Sequence, residues 1–144
     1  MADAGLSYAR LGDAVGLSSA AVHERVKRLK AAGHITGTAA LLSPAAAGKP
    51  LLAFVHVDTI GWGKSPAMMA MARYPEVEEL HSVSGDTCVL LKVRCANTDA
   101  LEHFLKELYA LPEVTGTRSY IVLSSYLDRP IQAEITQNWP AAQA

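Results

Sequence analysis

From Leu51 onward the hydrophobic period alternates between two residues and 3.6, and that succession constrains the fold more than any other feature. Leu51–Asp58 reads as a strand. Ser65-Pro66 opens a helix to about Arg73, with Pro66 suited to the first helical position, where no N–H is needed. Val77–Ser84 reads as a strand, Gly85-Asp86 as a turn and Cys88–Cys95 as the next strand. Asp99-x-x-Glu102 has the form of a capping box, and Leu101, Phe104, Leu105 and Leu108 follow at i, i+3, i+4 and i+7. Leu111-Pro112 ends that helix, and Thr117–Leu127 reads as a long last strand. The order β-α-β-β-α-β is the ferredoxin-like arrangement of an α+β fold.

In such a fold both helices cover one face of the sheet and leave the other bare. The strands are apolar on both sides. Val89, Leu91 and Val93 share one face and Leu90 takes the other, as Ile121 and Leu123 oppose Tyr120 and Val122. A homodimer packed sheet on sheet is the simplest way to cover the bare face. A monomer with scattered surface apolar residues is the plainer alternative.

Ahead of this domain lie two shorter helical patterns. Ser7 can cap a helix through about Val15, and Ser18 or Ser19 a second to about Ala32. Gly16 suits a left-handed turn between them, and Gly33 supplies a stop. Val22, Val26 and Leu29 form one apolar stripe on the second helix, and Gly12 permits its close approach. Ile35–Leu42 fits a short hairpin or wing, and Ser43–Pro50 reads as a connector. The expected division is a helix-turn-helix domain over residues 1–42, a linker over 43–50 and a ferredoxin-like domain over 51–144.

Charge is uneven along the chain. Residues 1–50 carry six basic and three acidic side chains, a balance of +3, whereas the 144-residue chain totals -1, so the remainder is -4. Four of the six basic residues fall within Arg25–Lys30. The second helix presents Ser19, His23, Lys27 and Lys30, flanked by Arg25 and Arg28, with Ser18 at its start. Short polar residues at the N-terminal end and cations further along suit a helix in a major groove of double-stranded DNA. An αα-hairpin with a solvated basic face is the competing reading.

Other chemistries find little support. His23-Glu24 begins like a zinc-binding H-E-x-x-H, but Lys27 occupies the second histidine position. Gly63-Lys64-Ser65 ends like a phosphate-binding loop, yet its first glycine would fall at Asp58. Cys88 and Cys95, on one strand, would lie about 23 Å apart, too far to pair. Met68, Met69 and Met71 read as helix packing. Gly61-Trp62-Gly63 reads as a loop whose Trp62 packs on a neighbouring subunit or domain. No metal site, cofactor or catalytic constellation is expected, and the chain is not read as an enzyme. No apolar run reaches the roughly 18–20 residues of a membrane span. The N-terminus lacks a signal-peptide pattern, so the cytoplasm is the expected compartment.

Several of these segments together resemble the Lrp/AsnC (feast/famine) transcriptional regulators. They are Leu6-Ser7, Val15-Gly16-Leu17-Ser18, Ala21–Gly37, Leu41-x-x-Pro44, Ser84-Gly85-Asp86 with Leu90–Val93, and Thr117–Leu123. The resemblance implies homodimers that assemble into octamers and hold an amino acid in clefts between dimers. It implies an effector site at Gly85, Asp86, Thr87, Cys88, Thr117 and Ser119. Glycine N–H groups there would take a carboxylate, and hydroxyls or acids an ammonium. Gly12, Thr87 and Cys88 stand where that family more often has an alanine, an aromatic and a carboxylate. The family also has a helix before its helix-turn-helix; this sequence starts almost at the second helix, so either the true start lies upstream or the head is incomplete. The implied function is a DNA-binding regulator. A stand-alone small-molecule sensor or assembly protein with a vestigial head is the alternative.

Overall fold

A computed structural model describes residues 5–61 and 64–131. The elements are α1 (Tyr8–Val15), α2 (Ser19–Ala31), β1 (Leu51–Thr59), α3 (Pro66–Met71), β2 (Val77–Ser82), β3 (Val89–Cys95), α4 (Thr98–Tyr109) and β4 (Val114–Ile121). They fall into two compact units, one containing α1 and α2, the other spanning Leu42–Asp128.

The second unit is a four-stranded antiparallel sheet in the order β2-β3-β1-β4, the ferredoxin-like arrangement. Strand alternation sends Ala53, Val55 and Val57 of β1 and Val89, Leu91, Val93 and Cys95 of β3 into one core. The helices close it with Met68 and Met71 from α3 and Leu101, Phe104 and Leu108 from α4. Met69 points away from the core and is half exposed. Each fully buried Val, Leu or Met in this layer contributes about 1.5–3 kcal/mol of transfer free energy.

The opposite face carries Leu52, Phe54 and His56 of β1, Leu90, Lys92 and Arg94 of β3, and Arg118 and Tyr120 of β4. His56 and Tyr120 rings lie 5.1 Å apart. Ion pairs frame one side: Arg94 Nε lies 2.9 Å from Glu78, and Lys92 Nζ 3.1 Å from Glu79. The chain after β4 turns back at one end of this face, where Asp128 lies 3.6 Å from Arg94 and a shallow cavity forms against Leu52 and Phe54.

Several local details depart from the sequence reading. No strand forms in Ile35–Leu42, so the wing is absent; Leu41 and Leu42 are exposed and lie against no ladder. The expected strand Thr117–Leu127 instead runs Val114–Ile121. Among the described residues its one ladder neighbour is β1, whose residues Ala53–Thr59 set both ends of the ladder, with one further bond from Val122 N to Leu52 O. β2 ends at Ser82, and one further bond in the same register, from Val83 N to Cys88 O at 3.1 Å, closes the loop. The cap of α4 is Asn97, whose Oδ1 accepts from Ala100 N at 2.9 Å, two residues before the expected Asp99. Ser43–Lys49 is a tight turn, with Lys49 N bonded to Pro44 O at 2.8 Å. Trp62 and Gly63 lie outside the described residues.

Candidate functional site

The head is built by two serine caps and two left-handed glycines. Ser7 Oγ accepts from Arg10 N, and Gly16, at φ 69°, ends α1. Leu17 N then bonds back to Gly12 O at 3.0 Å, so the turn lies flat on α1. A Cβ on Gly12 would overlap the Leu17 carbonyl oxygen. The close approach that Gly12 allows is therefore to the turn itself. Ser18, in extended backbone, accepts from Ala21 N at 3.2 Å and starts α2. At the far end His34 N bonds to Leu29 O and Gly33 N to Lys30 O, a Schellman motif on Gly33 at φ 75°.

Helical geometry divides the predicted DNA-facing residues. Ser19, His23, Lys27 and Lys30 share one flank of α2. Arg25 and Arg28 lie on the other, and Arg25 borders an open apolar groove of about 400 Å³ formed with Leu11, Val15, Leu17, Val22, Val26 and Leu29. His23 packs on Tyr8, ring centroids 5.3 Å apart. Arg25, Lys27, Arg28 and Lys30 are all exposed, and among the described residues none is in an ion pair. Ser18 is committed to its cap. Arg28 and Lys30 also sit in the last turn, where the helix dipole favours cations.

The second candidate region is the loop 83–88 at one end of the sheet. Gly85 and Asp86 are exposed, whereas Thr87 is buried and its hydroxyl donates to Val57 O at 3.1 Å. Cys88 is partly buried with Sγ 3.8 Å from Thr59 O. Thr117 faces the helix layer, where its N–H and hydroxyl both donate to the Tyr109 hydroxyl, at 3.1 and 3.3 Å. Ser119 is exposed on β4, opposite Val55. Three residues outside the effector candidates read from the sequence lie beside the region: Tyr109, Asp58 and Arg118. Arg118 Nη2 donates to the Asp86 carbonyl at 3.2 Å, and its guanidinium lies 3.6 Å from Asp58 and 3.8 Å from Asp86. Strand alternation places Arg118 opposite Thr117 and Ser119, which is the signal that could have separated it. Among the described residues no cluster of His, Cys, Asp and Glu is arranged to hold a metal ion, and no helix is long and apolar enough to cross a membrane.

A helix-turn-helix head with a cationic second helix, followed by an α+β sheet domain, defines the class: a DNA-binding transcriptional regulator. Residues 52–132 match the Lrp/AsnC ligand binding domain, and residues 1–30 the AsnC-type helix-turn-helix domain. The chain belongs to the Lrp/AsnC family. It is 38% identical to the leucine-responsive regulatory protein of Escherichia coli over 126 residues, covering 84% of this chain and 76% of that one. The structure of E. coli AsnC superposes with a TM-score of 0.80 at 30% identity, over 90% and 88% of the two chains. A feast or famine regulatory protein of M. tuberculosis, complexed with L-methionine, does so with a TM-score of 0.77 at 33% identity, over 85% and 84%.

Proposed function

We propose that this regulator grips double-stranded DNA through α2 and adjusts that grip when an amino acid binds at the loop 83–88. The observation that carries the first part is the set of four exposed cations on one helix, Arg25, Lys27, Arg28 and Lys30, none of them in an ion pair among the described residues. Cations left without protein partners keep their charge available for phosphates, the source of most protein–DNA affinity. Ser19 and His23, on the same flank as Lys27 and Lys30, are the candidates to reach base edges. Ser18 contributes by fixing the helix start.

The active unit in this reading is a homodimer joined across the bare sheet faces, assembling further to an octamer. Leu52, Phe54, Leu90 and Tyr120 supply an apolar centre, and the Glu78, Glu79, Lys92 and Arg94 pairs a charged rim. Gly85, Asp86, Cys88, Thr117 and Ser119, with Thr87 holding the loop, form the effector region. The relative bound to L-methionine supports an amino acid as the ligand. By linkage, amino acid and DNA bias each other's affinity equally.

The test is a gel-shift titration of the upstream region of the chain's own gene against random duplex, with the quadruple alanine variant of Arg25, Lys27, Arg28 and Lys30 as control. Preferential binding lost in the variant is expected. Retention of neither duplex by the native chain would overturn the DNA reading and, with intact oligomers, leave a stand-alone sensor; equal retention of both duplexes by both proteins would remove the four cations from the DNA contact. A thermal-shift screen of amino acids, with and without DNA, tests the effector part.

A further inference from the structure

We propose that the apolar groove between α1 and α2 seats this chain's own C-terminal segment, residues 132–144, through Ile135 and Trp139. The two helices of the head bury little by themselves: within them only Gly12 and Val22 are buried. Leu11, Val15, Leu17, Val22, Val26 and Leu29 line an open groove of about 400 Å³, and Val15 keeps 61% of its surface exposed. Short helices hold in water by packing an apolar face against another element, not by propensity alone. Among the described residues no third helix or strand belongs to the head's compact unit.

The course of the chain leads that segment toward the head. β1 and β4 run antiparallel, and Val122 N bonds to Leu52 O at 2.9 Å. The end of β4 therefore lies beside the start of β1, where the connector from the head arrives. Asp128 stays at this end, 3.6 Å from Arg94, the ladder partner of Leu52. The last described residues, Arg129–Ile131, fall in the compact unit of α1 and α2 and not in that of the sheet. Ile135 and Trp139 follow Asp128 by seven and eleven residues, a reach of up to about 23 and 36 Å. Two packed helices are about 20 Å across, within that reach. The spacing of four puts both side chains on one face of a helix, the pattern of a helix laid in a groove. Residues 130–144 contain a single charged side chain, Glu134, opposite in sign to Arg25 on the groove rim. A tethered segment meets its groove at an effective concentration in the millimolar range, so modest contacts suffice. Seated there, it leaves the flank of Ser19, His23, Lys27 and Lys30 open.

The first test uses the full chain carrying Trp62→Phe, which leaves Trp139 as the one tryptophan. Its emission is expected to be blue-shifted and to move to that of exposed indole in urea. Val15→Lys places a charge in the groove at an exposed position, and should by itself shift the emission to that of exposed indole. In the chain with Trp62 intact, Ile135→Ala with Trp139→Ala should speed hydrogen exchange of the α1 and α2 amides at least about tenfold, while the β1 and β3 amides keep their rates. Ile135→Leu with Trp139→Phe, which keeps apolar bulk, should restore most of the protection. Solvent-like emission from Trp139 without Val15→Lys, or an emission that Val15→Lys leaves unmoved, would overturn the docking. So would α1 and α2 exchange unchanged by the double alanine variant. Exchange that is unchanged in that variant but rises on dilution of the protein would assign the groove to a second copy instead.

Discussion

The Thr87 hydroxyl donates to the Val57 carbonyl at 3.1 Å and so pins the β2–β3 loop to the end of an interior strand of the sheet. Thr87 is buried although it sits between exposed Asp86 and half-buried Cys88. The loop is thus anchored on one side of the chain while its Gly85-Asp86 tip stays open.

Thr87→Val keeps the side-chain shape and removes the donor. Leaving the Val57 carbonyl without that partner should cost about 1–2 kcal/mol, read as a lower urea midpoint at unchanged slope. An unchanged midpoint would show that other contacts hold the loop.

Ser18→Ala removes the cap of α2. The expected loss is about 1 kcal/mol of head stability, seen in hydrogen exchange of the α2 amides. DNA affinity should fall equally for specific and random duplex, because a frayed helix start disturbs placement rather than one base contact. A loss confined to the specific duplex would instead make Ser18 a base-reading residue.

Lys27→Ala should weaken binding to every duplex and flatten the plot of log affinity against log salt by about one unit, the signature of one lost phosphate contact. A gel-shift series at rising salt with the native slope would remove Lys27 from the phosphate set.

Acid should weaken the sheet domain in part through Glu79. Its carboxyl is held below the ordinary value of 4.5, first by the hydrogen bond with His81 and then by Lys92. A lowered folded-state value means that the folded chain binds fewer protons than the unfolded one. The stabilisation is therefore present above pH 4.5 and is lost as pH falls through the lower folded value. Urea midpoints measured from pH 6 downward should drop less steeply in Glu79→Gln than in the native chain. Parallel curves would show that the pair contributes nothing at this exposed position.

The caps show what was legible beforehand and why. Ser7, Ser18 and Ser65 start their helices and Gly16 and Gly33 end theirs, because each cap bonds within a few residues of itself. Asn97 was missed in favour of Asp99, since two polar residues near one helix start compete and local pattern alone does not choose. Ile35–Leu42 has strand-like residues, but among the described residues no strand pairs with it, so the expected hairpin does not form. Among the effector candidates, Thr87 and Asp86 are neighbours of similar polarity, yet one faces inward and the other solvent.

Element types, helix ends and the two-faced character of the strands were carried by neighbouring residues, because periodicity and capping act over one or two turns. The fold decided where β4 stops, that Thr87 turns inward and that Arg118 meets Asp86, since those depend on contacts between segments about thirty to seventy residues apart, which no local period encodes.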